Sequence, residues 1–371
     1  MNINSNDRRN FILGSTLALA ATPLVHAKAA TTNDVVTTVP DGINPVGVRT
    51  AGVRMIPVVG GKYKVWTKRV GSGTTKILLL HGGPAFSHEY LEAMASFLPP
   101  AGYEIYFYDQ LGVNNSDQPD DPSLWTLARY LEEVEEVRKG LGLQNFVLYG
   151  HSWGGMLAIE YALKYQVNLK GLVISNMAAS IQAYLTRVAS IKAKLPGPQL
   201  QKLNELESSK DYDNPEYERI MMEFMYPQMI CRLTPWPEAV VRTFKHVNKS
   251  IYALMQGPSE LEVLGNLRGW DRWDQLRNIK TRTLVMGAHY DEMDPADIRR
   301  MAELMPNAKA VICPHGSHLA MWDDQAIYFR HLLDFLSRLA PAKQASVASL
   351  TPGCQPDPIS QCCDHVPRTC S

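Results

Sequence analysis

Ser152 stands in Gly150-His151-Ser152-Trp153-Gly154-Gly155, a G-x-S-x-G arrangement. The apolar run Phe146-Val147-Leu148-Tyr149 precedes it and a helix-forming run, 156–163, follows. A strand, a sharp turn and a helix in that order lift a serine hydroxyl clear of a sheet, where a nucleophile must stand. Glycine at 150 and 154 removes side chains that would strike the neighbouring strand or helix. The Trp153 amide opens the helix and is placed to face a developing oxyanion. The pattern predicts Ser152 as the nucleophile of an acyl transfer.

A serine hydroxyl attacks poorly until a base takes its proton. In sheets with this turn the acid and then the histidine follow the serine along the chain. The histidines after Ser152 are His246, His289, His315, His318, His331 and His365. His318 lies in Pro314-His315-Gly316-Ser317-His318-Leu319, a loop after the last apolar run, and is the expected base. His315 is its rival, with a surface loop histidine as the alternative reading; the H-x-x-H spacing of the two suggests a metal, but no carboxylate or cysteine cluster completes a site. The acid is expected after the run 283–286, where Asp291 and Asp294 compete. Asp294 precedes Pro295 and reads as a turn or helix-entry residue. Asp291 is left to orient the imidazole. His81-Gly82-Gly83-Pro84, after an early apolar run, offers the Gly83 amide as a second oxyanion donor beside Trp153. This chemistry needs no cofactor and no metal.

The elements that must position these groups follow from short apolar runs at 76–80, 104–108, 146–149, 172–174, 283–286 and 310–312. Runs of this length, bounded by turn residues and separated by helix-like segments, predict a mostly parallel sheet covered by helices on both faces. Such a sheet carries its chemistry at the carboxyl ends of its strands, where every motif above falls. From 179 to 268 the rhythm stops, and Met- and aromatic-rich, helix-like sequence broken by prolines takes over. We read this as a helical cap inserted before the acid-bearing strand. The core then comprises 45–178 and 269–338.

The chain has 371 residues, with 37 Lys+Arg against 37 Asp+Glu. A neutral total speaks against nucleic acid as a partner, since binding phosphates requires a basic face. Arg8-Arg9, a moderately apolar stretch from Phe11 to Val25, and Ala27-Lys28-Ala29 read as a secretory leader over 1–29. The arginine pair with Phe11 resembles the twin-arginine export signal, which implies passage through that machinery to a bacterial periplasm or beyond. The apolar stretch falls short of the ~20 residues that cross a bilayer. At the other end, 339–371 reads as a flexible tail carrying Cys354, Cys362, Cys363 and Cys370. Four cysteines this close could bind zinc or form two disulfides, but the adjacent pair Cys362-Cys363 suits neither a zinc knuckle nor a standard bridge.

The body resembles the proline iminopeptidase group of α/β-hydrolases, which includes tricorn-interacting aminopeptidases and L-proline amide hydrolases. The matching pieces are His81-Gly82-Gly83-Pro84, Tyr108-Asp109-Gln110-Leu111-Gly112 with Ser116-Asp117, and 150–155. They continue through Gly257-Pro258-Ser259-Glu260, Trp270-Asp271, Tyr290-Asp291-Glu292 and 316–322. The resemblance implies an α/β-hydrolase fold and a serine hydrolase that releases an N-terminal proline, or another small L-amino acid, from peptides or amino-acid amides. It further implies that Glu260 and Glu292 hold the substrate's free amine, and that Asp109-Gln110 forms a structural turn. The alternative is a carboxylesterase or amidase with no need for a free amine. Two positions depart from the group: Asn114 stands for a second glycine after Gln110, and Ala288-His289 for a Gly-Glu pair.

Overall fold

A computed structural model describes residues 51–339. The leader at 1–29, the first residues of the expected core at 45–50, and the tail with its four cysteines lie outside the described residues.

Each of the six apolar runs is a strand; the inner five are buried because helices cover the sheet on both sides, while the edge run 310–312 is partly buried. They are β3 (Lys76–Leu80), β4 (Glu104–Tyr108), β5 (Phe146–His151), β6 (Leu169–Ser175), β7 (Thr283–Ala288) and β8 (Ala308–Cys313). Two further strands precede them, β1 (Val53–Val58) and β2 (Tyr63–Val70). The sheet order is β1-β2-β4-β3-β5-β6-β7-β8, antiparallel at β1–β2 and β2–β4 and parallel from β4 onward. β5, which leads to Ser152, lies between β3 and β6.

The helices bury one stripe each. In Leu127–Leu141 the buried positions include Tyr130, Leu131, Val134, Val137 and Leu141, the spacing of one helical face. Thr126 caps its start by accepting the Arg129 N–H, and Gly142 ends it in the left-handed conformation, φ 66°. The helix Gln325–Leu339 buries Tyr328, Phe329, Leu332, Leu336 and Leu339. Leu339 packs so near Gly171 of β6 that a Cβ there would approach it to 2.4 Å. Leu339 thus belongs to the packed body, one residue beyond the expected tail boundary.

Between β6 and β7 the chain forms helices at Ile181–Lys192, Gly197–Ser209, Pro215–Ile220, Tyr226–Met229, Glu238–Lys245 and Lys249–Met255. The segment leaves and rejoins the core at one neck. There Ser180 bridges Asp271, Ile181 N–H donates to the Trp270 carbonyl at 3.0 Å, and Arg272 N–H to that of Ala179 at 2.8 Å. Arg242 pins the helix Glu238–Lys245 to the core through Glu89 at 2.8 Å and Glu92 at 2.6 Å. Among the described residues no helix is long and apolar enough to cross a membrane.

Candidate active site

Ser152 has φ 56° and ψ −126°, a conformation that strains a residue with a Cβ. Its neighbours are glycine for lack of room. A Cβ on Gly150 would lie 2.0 Å from the Gly154 carbonyl oxygen, and one on Gly154 would lie 2.3 Å from that of Leu80. The turn is tied down by Ser152 N–H donating to the Ser175 carbonyl at 2.9 Å. The helix Trp153–Tyr165 begins at once, so the Trp153 amide is an unspent first-turn donor.

His318 Nδ1 donates to Asp291 Oδ1 at 2.9 Å. The acid is buried and held from two other sides: Asn176 Nδ2 donates to its Oδ2 at 2.7 Å and the Met293 N–H to its Oδ1 at 3.1 Å. The cap holds the histidine loop as well. His318 N–H donates to the Met229 carbonyl at 2.8 Å, and Leu319 N–H to that of Ile230 at 2.9 Å. His318 and Ser152 line one cavity, while His318 Nε2 is 3.5 Å from Glu292 Oε1. Burial works against a charge on His318, but Glu292, Asp291 and Glu260 outweigh it and push the imidazole up to about 9. Asp291 and Glu292 thus flank the ring at its two nitrogens, beside the cavity that Ser152 lines.

Asp294 caps the helix Pro295–Leu304 by accepting the Ala296 N–H, the helix-entry role expected of it. His315 is exposed, away from the Asp291–His318 pair.

Gly82 N–H donates to Tyr90 Oη at 2.6 Å, and the Tyr90 hydroxyl donates to His151 Nδ1 at 3.0 Å. His151 Nε2–H then donates to the His318 carbonyl at 2.9 Å. Burial holds His151 well below the usual histidine range, so a neutral ring sits in this chain. Gly83 lines the cavity next to Ser152, with φ 114° and no space for a Cβ, which would lie 2.7 Å from the Ala85 and Phe86 nitrogens. Below it, Gln110 Oε1 accepts the Trp153 indole N–H at 2.9 Å, and Asp109 accepts from His88 at 2.7 Å. These are the contacts of a structural turn, as the resemblance implied. Asn114 adopts φ 40°, which asparagine tolerates, so the missing glycine leaves the turn intact.

Glu260 and Glu292 converge on the serine. Both line one small cavity of about 300 Å³ together with Ser152, Gly83 and Trp153. Glu260 accepts Tyr252 Oη at 2.5 Å and Tyr184 Oη at 3.1 Å. Glu292 is buried, and its Oε2 has no hydrogen-bond partner among the described residues. Neither carboxylate pairs with a lysine or arginine among those residues. Burial raises both carboxyls, Glu292 well above its ordinary range, and their mutual repulsion adds to the effect on Glu292.

Sequence reasoning did not mark Asn176, Tyr90, Tyr184 or Tyr252. Only Asn176 carried a usable signal, as a polar residue placed directly after the apolar run of β6, at the end where such sheets keep their chemistry.

A doubly covered parallel sheet, a strained serine on a strand-to-helix turn, and an Asp-supported histidine in the following loops define a serine hydrolase of the α/β-hydrolase fold. The sequence profile of the alpha/beta hydrolase fold matches residues 76–325. The proline iminopeptidase of Flavobacterium johnsoniae is 46% identical over 289 residues, covering 76% of this chain and 97% of that protein. Among solved structures, VinJ superposes with a TM-score of 0.74 at 32% identity, over 78% of this chain and 99% of its own. The proline iminopeptidase of Mycobacterium smegmatis gives 0.72 at 26% identity, over 77% and 98%. The chain belongs to the proline iminopeptidase family of α/β-hydrolases.

Proposed function

We propose that the protein is a serine aminopeptidase that releases an N-terminal proline, or another small L-amino acid, from peptides or amino-acid amides. The observation that carries this reading is the pair of buried carboxylates, Glu260 and Glu292, facing the nucleophile without a lysine or arginine partner among the described residues. Two buried carboxyls with only the His318 imidazole as a cationic neighbour are costly to ionise, and a protonated substrate amine would supply the further cation that favours both charges. The walls around that pair, Met156, Met177, Ile181, Leu267 and Met293, suit the methylenes of a pyrrolidine ring.

With the amine held there, Ser152 Oγ attacks the scissile carbonyl carbon while His318 Nε2 takes the hydroxyl proton. The Trp153 and Gly83 amides receive the oxyanion, each donor contributing about 3 kcal/mol to the transition state. The intermediate collapses, the carbon–nitrogen bond breaks, and His318 returns its proton to the departing amine. Water, deprotonated by His318, then attacks the acyl-enzyme and frees the amino acid. No observation favours the esterase or amidase alternative, because such an enzyme has no use for two carboxylates at the acyl pocket. Comparing proline nitroanilide with its N-acetyl form tests the reading: the free amine is cleaved and the blocked compound is not.

For location, we propose export in the folded state to a bacterial periplasm, on the strength of Arg8-Arg9, Phe11 and Ala27-Lys28-Ala29. Replacing both arginines by lysine should leave the activity in the cytoplasmic fraction. Unchanged fractionation would remove the twin-arginine route.

A further inference from the structure

A second cavity, of about 430 Å³, meets the acyl pocket at Ser152, Gly83 and Glu260. Its remaining lining differs in kind. His318 belongs to it, and Glu292 and Trp153 do not. Its side walls are Phe86, Ile230, Val240, Phe244 and Leu319. Given the proposed function, on which this inference rests, the two cavities divide the substrate. The amino-terminal residue sits with the carboxylate pair, and the departing amine must lie toward His318, which protonates it. The second cavity therefore receives the residue that follows the scissile bond.

We infer that this cavity selects substrates whose second residue has a large apolar side chain, aromatic or branched aliphatic. Phe86 and Phe244 form its outer wall, with ring centroids 5.2 Å apart and planes tilted by 58°. No lysine or arginine lines the cavity and His318 acts there as a neutral base, so an acidic second residue meets the Glu260 carboxylate with no permanent cation to offset it. A second residue whose own C-terminal carboxylate is free is disfavoured for the same reason. The wall is built rather than loose. Phe86 follows two residues after Pro84 in the loop that carries the Gly83 amide. The helix bearing Phe244 is fastened to the core by Arg242 and by Thr243 Oγ1, which accepts the Tyr90 N–H at 2.9 Å. A preformed apolar wall discriminates by the side chain that fills it.

The test is kcat/KM for the dipeptide amides Pro-Phe-NH2, Pro-Leu-NH2, Pro-Gly-NH2 and Pro-Asp-NH2, with free Pro-Phe as a fifth substrate. The expected order places Phe and Leu at least about tenfold above Gly, with Asp below Gly and free Pro-Phe below its amide. Phe244→Ala should reduce the Phe-to-Gly ratio severalfold. Phe244→Leu, which keeps an apolar wall, should retain most of the ratio and stands in if the alanine variant does not fold. Equal rates for Gly, Asp and Phe in the wild type would overturn the inference while leaving the aminopeptidase reading in place. Failure to cleave any of these free-amine prolyl amides would overturn both.

Discussion

Glu292 follows the triad acid directly, is 1% exposed, and leaves one carboxylate oxygen without a hydrogen bond. That placement ties substrate recognition to the base. The carboxylates around His318 favour its imidazolium form and push it up to about 9, while catalysis needs the neutral ring. An activated acetate ester brings no ammonium to offset those carboxylates, so its hydrolysis gains rate as pH rises toward about 9. Glu292→Gln removes the largest of the attractions on the imidazolium and should lower the midpoint of that pH–rate profile by about one pH unit or more. A midpoint that stays in place would show that Glu292 does not bear on the base. At this scale legibility in the sequence was uneven. Ser152, Asp291 and His318 stood out because a strand end, a glycine pair and a loop after an apolar run each restrict what a residue there does. Glu260 and Glu292 had no such mark, since a lone glutamate in a loop looks like solvated charge, and only the family resemblance singled them out.

Among the elements, the strands legible in the sequence were those with a continuous apolar run, most of them buried on both faces and β8 at the edge only partly so. β3 to β8 read as continuous apolar runs. β1 and β2 escaped because their polar and basic positions, Arg54, Lys64, Lys68 and Arg69, break up the apolar run, as expected where a sheet ends in an antiparallel hairpin. The β5-to-helix turn was legible down to the reason for each glycine, and it invites a direct test. Gly150→Ala places a Cβ 2.0 Å from the Gly154 carbonyl oxygen, a backbone atom that cannot swing aside. The variant should lose on the order of 3 kcal/mol of stability, read as a lower denaturant midpoint, and activity should fall with the displaced serine. Wild-type stability would mean that the turn is looser than its contacts indicate. The cap announced itself only as helical sequence. That it also holds the His318 loop, through the Met229 and Ile230 carbonyls, depends on contacts between segments about 90 residues apart in the chain, which no local pattern encodes.

For the molecule as a whole, the formal charge of zero conceals how the charges are arranged. Glu89 and Glu92 pin the cap to the core through Arg242, whereas Glu260 and Glu292 are gathered at the nucleophile without a lysine or arginine among the described residues. The cap joins the core at the neck of Ser180 and Asp271, and supplies Glu260 and three of the wall residues of the second cavity, Ile230, Val240 and Phe244. Core, cap and carboxylate pair together amount to a site that distinguishes a free amino terminus from a blocked one. The most direct measurement is the ratio of kcat/KM for proline nitroanilide to that for N-acetylproline nitroanilide. A blocked nitrogen forfeits the charge-assisted hydrogen bonds to the two carboxylates, each contributing about 1.5–3 kcal/mol, so the account predicts a ratio of at least about 100 in favour of the free amine. A ratio near one would contradict it, and would return the protein to the hydrolases that read only the acyl group.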